Sequence, residues 1–234
     1  MKRRDALTFV LLAALSTLPA VAAPSQAVSF DGVWQIAKYM GELSTLAGTE
    51  PPLKPDALAI YHQRMAAYHR GDRKFDPTMV SCASPGTPRM MMMPTPFEII
   101  DRPSQITFLF DWNHLFRIVP VGKPPATVGY ATAVGNSEAR RDRADLVIST
   151  DQLNPATLLD AAGLPHSGKL VVQETYHLLD SGNRMTLRLT FNDPDSYTSP
   201  WQSEITFKRL PGYQIHEDIC LDRIAAGEPA VVEP

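Results

Sequence analysis

The chain has only two cysteines, Cys82 and Cys220, and no pair of histidines at zinc-ligand spacing with a third ligand nearby. A structural zinc module and a densely cross-linked mini-protein are therefore excluded. There is no Gly-x-Ser-x-Gly elbow, no glycine-rich phosphate loop and no dinucleotide fingerprint, so none of the motif-bearing hydrolase, nucleotide-binding or dehydrogenase classes is indicated. Basic residues are not in excess: 22 Lys+Arg stand against 25 Asp+Glu, a formal charge of −3. That balance gives no footprint for nucleic acid or anionic lipid. The one dense basic cluster, residues 140–143, reads as a solvated turn between strands. After residue 22 no apolar run is long enough to span a bilayer. No internal repeat is visible. The four methionines at 90–93 invite a copper site, but successive side chains of an extended segment point to opposite sides and make poor joint ligands. The expectation is no metal and no cofactor.

What is present begins with the N-terminus. Lys2, Arg3 and Arg4 precede an apolar run over 6–22 that ends in Ala20-Val21-Ala22, a small-x-small cleavage site. Residues 1–22 therefore read as a secretory signal peptide, which implies a periplasmic or secreted protein. In that oxidising compartment two cysteines suggest one disulfide between Cys82 and Cys220; two free buried thiols are the alternative. Residues 23–96 read as a leader, a first strand at 30–36, a helix at 55–69 and a proline-punctuated arm, all packed on a barrel. Pro55 suits a first helical turn and Gly71 a stop, while Leu58, Tyr61, Met65 and Tyr68 share one side. From 97 to 224 the pattern is of strands, at 97–101, 106–112, 116–121, 128–134, 146–150, 170–179, 185–192, 203–210 and 213–221, with turn residues between them. The remainder, 225–234, reads as a flexible tail. So many consecutive strands with tight turns imply an all-β fold, an antiparallel up-and-down barrel that removes its own edges by closing.

Phe30-x-Gly32-x-Trp34 on the first strand resembles the Gly-x-Trp signature of lipocalin-type barrels. A wider resemblance covers nearly all of the chain after the leader. It rests on Cys82…Pro88-Arg89-Met90, Pro94-x-Pro96-Phe97-Glu98-Ile99, Trp112…Arg117 and Leu159-Asp160-x-x-Gly163-x-Pro165-His166-Ser167. It continues through Glu174, Asp193-Pro194-x-x-Tyr197-x-x-Pro200-Trp201 and Glu217-x-x-Cys220. These are similar to a large, mostly uncharacterised family of exported bacterial proteins, and the resemblance implies a lipocalin-like barrel. The chain departs from that pattern before the strand at 146, where the family's glycine- and tryptophan-rich stretch is replaced by residues 133–140, Ala-Val-Gly-Asn-Ser-Glu-Ala-Arg.

Strand alternation points to the chemistry. Glu174 is the only charge on the face shared by Leu170, Val172, Tyr176 and Leu178, and Glu217 the only one on the face of Tyr213, Ile215, Ile219 and Leu221. Arg117 shares a face with Leu115, Val119 and Val121. A lone buried charge costs several kcal/mol unless paired, so these three are expected to meet one another or a ligand. His166, in the loop after Gly163-Leu164-Pro165, is a candidate general acid or base, with Asp160 as a possible orienting partner. Asp111, Trp112, Tyr176, Tyr197, Trp201 and Arg89 are candidate ligand contacts.

Two readings follow. One is a carrier that binds a small apolar or aromatic molecule in the barrel interior. The other is a cofactor-independent lyase, isomerase or hydratase in which His166, Glu174 and Glu217 move protons and Arg117 steadies an anion. A purely structural or interaction role rests on the helix and the proline-rich arm alone. A homodimer is compatible with all three.

Overall fold

The computed structural model describes residues 29–124 and 128–233; the expected signal peptide lies outside them. Nine strands form one sheet: β1 (Gly32–Ile36), β2 (Phe97–Arg102), β3 (Gln105–Phe110), β4 (Phe116–Pro120), β5 (Asn136–Asp142), β6 (Asp145–Asp151), β7 (Val171–Leu179), β8 (Arg184–Asn192) and β9 (Trp201–Arg209). Their spatial order is β4-β3-β2-β1-β9-β8-β7-β6-β5, and every neighbour in that order is antiparallel. This is an antiparallel up-and-down barrel, as the strand pattern predicts.

Nine is odd, so the two end strands run the same way and cannot continue the antiparallel ladder. β4 and β5 meet through one parallel bridge, Val121 with Ala139, supported by Gly122 N–H donating to the Ala139 carbonyl at 2.8 Å. The seam is otherwise held by side chains. Arg141 of β5 ion-pairs with Asp101 of β2, and Arg117 of β4 reaches Ser137 of β5 at 2.9 Å.

The Gly-x-Trp motif has a physical basis. Trp34 is fully buried and donates its indole N–H to the Phe30 carbonyl at 3.1 Å. The Arg209 guanidinium lies 4.2 Å over its ring, a cation–π contact. A Cβ on Gly32, whose φ is +129°, would collide with that guanidinium. The glycine is therefore required twice, by the backbone angle and by the approach of Arg209.

The α-helix α1 (Pro55–His69) occupies the expected span, with Pro at its start. Tyr61, Leu53, Leu43, Leu159, Ala162 and Leu164 join the barrel residues in one core cluster. Gly163 adopts φ +94°, and a Cβ there would press on Arg64 and Phe75 at 2.7–2.8 Å. A second, smaller cluster gathers Met93, Trp112, Ala230 and Val231 around the Cys82–Cys220 disulfide, which spans 138 residues.

Four expectations are corrected. Residues 128–134 form no strand; β5 instead takes Asn136–Asp142, so the basic cluster is mostly strand. Its inward positions are only Ser137 and Ala139, too small and polar to mark a strand by hydrophobic alternation. Residues 213–219 are irregular and lead into the short helix α2 (Cys220–Ala225). The methionines at 90–92 belong to a 3-10 helix, Arg89–Met92, and are buried in the core. The C-terminal stretch expected to be free is packed: Ala230 and Val231 are buried, and Glu233 is bound by Arg73 and Tyr39.

Candidate functional site

Alternation along the strands sends one side chain in two into the barrel. The inward set is large and apolar, and Ile99, Phe108, Tyr176, Leu187, Leu189 and Phe207 have no exposed surface at all. The barrel interior around them is therefore filled by side chains. Phe97 alone packs against Phe108, Phe110 and Phe207.

Inside this core sits one polar cluster. Arg117 of β4 makes a two-pronged ion pair with Glu174 of β7: Nη1 donates to Oε1 at 3.0 Å and Nη2 to Oε2 at 2.5 Å. Nη2 also reaches the hydroxyls of Ser137 at 2.9 Å and Thr150 at 2.8 Å, and these two hydroxyls bond each other at 2.9 Å. Tyr176 donates its hydroxyl to Glu174 Oε1 at 2.8 Å. The side chains of Arg117 and Glu174 are 2% and 0% exposed. Burial works against the Arg117 charge, but the Glu174 carboxylate more than restores it and holds its pKa above the usual arginine value. Burial, reinforced by the Glu174 charge, pushes the Tyr176 hydroxyl well above the usual tyrosine range. Among the described residues the buried Arg117 Nε–H has no hydrogen-bond partner. The strand-face reasoning thus finds Arg117, Glu174 and Tyr176 together.

The other candidates are elsewhere. Glu217 is exposed on the outer surface, not opposite Arg117; its apparent alternation lies on an irregular segment. His166 is 6% exposed. Its Nδ1 lies 2.9 Å from the Ser167 carbonyl and its Nε2 2.9 Å from the Thr157 hydroxyl. Burial lowers its pKa. Thr157, not Asp160, is its partner. Asp160 instead accepts from Leu43 N, Leu164 N and the Tyr61 hydroxyl, and burial raises its pKa to about 6. Asp193 ties the His166 loop down by accepting from the backbone and hydroxyl of Ser167, both at 2.6 Å.

Arg89 is buried in a two-pronged pair with Asp76, at 2.9 and 2.5 Å. The cavity beside it, about 10 Å³, has room for one water at most. Trp112 lies in the disulfide cluster and donates to the Ala230 carbonyl at 2.8 Å. Tyr197 donates to the Pro165 carbonyl at 2.9 Å and packs on Trp201, which stacks on Phe191 at 4.2 Å. Asp111 is buried and accepts from Tyr213 and from the backbone of His216. The expected acid–base set of His166, Glu174, Glu217 and Arg117 therefore does not assemble; only Arg117 and Glu174 meet. Sequence reasoning missed the hydroxyls of Ser137 and Thr150, which carry no distinctive signal on their own.

Among the described residues no helix is long and apolar enough to cross a membrane, and no group of His, Cys, Asp and Glu is arranged to hold a metal ion. No protein-family model matches the chain, and no curated protein matches it. Among solved structures, the crystal structure of zebrafish ileal bile acid-binding protein with cholic acid aligns at a TM-score of 0.40 and 12% identity. The alignment covers 77% of this chain and 98% of that one.

Proposed function

We propose that the protein is an exported carrier that takes a small, largely apolar or aromatic molecule into its barrel and holds it at Arg117, Glu174 and Tyr176. One observation carries this reading: a charged cluster is enclosed in an otherwise apolar barrel, with the Arg117 Nε–H left unpartnered. Stability alone is a poor reason for such a cluster, because apolar side chains of similar volume often serve as well or better. A buried donor without an acceptor costs about 1–3 kcal/mol, and an oxygen on a ligand would remove that cost. The wall beside Arg117 is the β4–β5 seam, where opening breaks one backbone bridge and its hydrogen bond and not a full ladder. Because the interior is packed, binding displaces side chains, and the affinity is reduced by the fraction of molecules that open. The signal-like N-terminus and the disulfide support export.

The test is titration with the environment-sensitive dye 1-anilinonaphthalene-8-sulfonate, checked by native mass spectrometry. The expected result is saturable binding of one dye per chain, lost in the double variant Arg117→Met/Glu174→Leu while the fold is kept. No saturable uptake of the dye, or uptake unchanged in that variant, would count against the carrier.

A further inference from the structure

A groove outside the barrel gathers groups that the carrier reading leaves unused. It is lined by Leu109, Phe110, Leu115, Phe116 and Ile215 together with His114, His216 and Glu217, around about 280 Å³. Small-molecule pockets run from about 300 to 1,000 Å³, so this space suits a fragment-sized ligand. Phe116 is 62% exposed, a large ring mostly open to solvent. The walls are fixed in place. Trp112 bridges Asp218, Asn113 N–H donates to the Asp218 carbonyl at 2.6 Å, and the Cys82–Cys220 disulfide follows directly. Asn113 and His114 adopt φ of 56° and 48°. Asn and His take up left-handed backbone more readily than other residues with a side chain, which suits them to this tight turn.

Beneath His216 lies a relay. The Tyr213 hydroxyl is 2.5 Å from Asp111 Oδ2 and 2.9 Å from His216 Nδ1, and His216 N–H donates to Asp111 Oδ1 at 2.8 Å. Tyrosine has one hydroxyl proton and an ionised carboxylate has none, so that proton goes to Asp111. The contact with Nδ1 then requires the histidine proton on Nδ1. In neutral His216 this leaves Nε2 as the acceptor. Glu217 is exposed and has no ion-pair or hydrogen-bond partner among the described residues. No lysine or arginine lines the groove. Glu217 and His216 thus offer acceptors beside apolar side chains, and Glu217 is the one carboxylate among the lining residues.

We propose that this groove binds a small apolar primary amine in its ammonium form. The ammonium donates to Glu217 and to His216 Nε2, and the hydrocarbon part covers Phe116 and Leu109. Tyr213 and Asp111 act as positioning residues that set the His216 tautomer. The site lies at the β3–β4 turn, away from Arg117 and Glu174, and shares Phe110 and Leu115 with the barrel core.

The experiment is an NMR titration of the whole chain with 2-phenylethylamine, and in parallel with 3-phenylpropanoate, an anion of similar size. The amine is expected to shift the resonances of Phe116, Ile215 and Glu217 and to bind about tenfold more tightly than the acid, the effect of an attractive contact replaced by a repulsive one. Glu217→Gln should weaken the amine about three- to fivefold, as expected for an exposed charge pair, without weakening the acid. Tyr213→Phe should weaken the amine and move the His216 ring nitrogen signals toward a mixture of tautomers. Arg117→Met/Glu174→Leu should leave amine binding unchanged. Equal affinity for amine and acid, no effect of Glu217→Gln, no binding of either compound, or shifts confined to the barrel interior would each overturn the proposal.

Discussion

Removing one member of the Arg117–Glu174 pair should cost far more than removing both. In Arg117→Met the Glu174 carboxylate stays at 0% exposure and keeps only the Tyr176 hydroxyl as a donor. Breaking a buried pair in this way costs about 3–5 kcal/mol. Glu174→Leu leaves the guanidinium with the Ser137 and Thr150 hydroxyls, which cannot neutralise it, and should cost a similar amount. In the double variant Arg117→Met/Glu174→Leu no charge is left. Ser137 and Thr150 keep their mutual hydrogen bond, and the residual penalty is the lost acceptor of Tyr176, about 1–3 kcal/mol. New apolar packing offsets part of that. The double variant should therefore fall within about 2 kcal/mol of the wild type, with a coupling energy of about 3 kcal/mol or more. The assay is urea unfolding followed by far-UV circular dichroism, with the slope checked for constancy across the four proteins. Single variants that cost under about 1 kcal/mol, or a double variant as unstable as the sum of the singles, would refute the reasoning.

Asp160 should give the fold a pH dependence. Its pKa is raised by burial from 3.8 to about 6, so the folded state favours the protonated form. Its contribution is then full below about pH 4 and is lost as the pH rises toward 6; in Asp160→Asn that slope between pH 4 and 6 should vanish from the denaturation profile. Gly32→Ala should destabilise by about 1–3 kcal/mol, since the backbone angle and the Arg209 guanidinium both oppose a Cβ; a stability loss under about 0.3 kcal/mol would show that neither opposes it. Replacing Cys82 and Cys220 by serine should cost about 4–5 kcal/mol, because the bond closes a 138-residue loop; thermal denaturation of the variant reads the loss.

Much of the barrel was legible because its strands bury one face and so alternate. Met185, Leu187, Leu189 and Phe191 of β8 mark themselves, and the register follows. The α1 span was legible from Pro55 and the shared side of Tyr61 and Met65. β5 was not, because a strand whose inward positions are Ser137 and Ala139 beside an incompletely paired seam carries no apolar signal. The alternation at 213–221 misled for the opposite reason. Its pattern suits a strand, but Asp111 captures the backbone of His216 and the disulfide anchors Cys220, so the segment is held by tertiary contacts that no local pattern encodes. The same contrast explains the site. Glu174 and Arg117 were legible as lone charges on apolar faces, whereas Glu217 shared the pattern without the strand.

The most direct test of the carrier is the Arg117 Nε–H resonance in an NMR titration with 1-anilinonaphthalene-8-sulfonate. If the ligand supplies the missing acceptor, that signal should move downfield in proportion to the bound fraction. A saturable dye signal with the Arg117 Nε–H unmoved would place the ligand elsewhere and contradict the assignment of the interior cluster as the binding site.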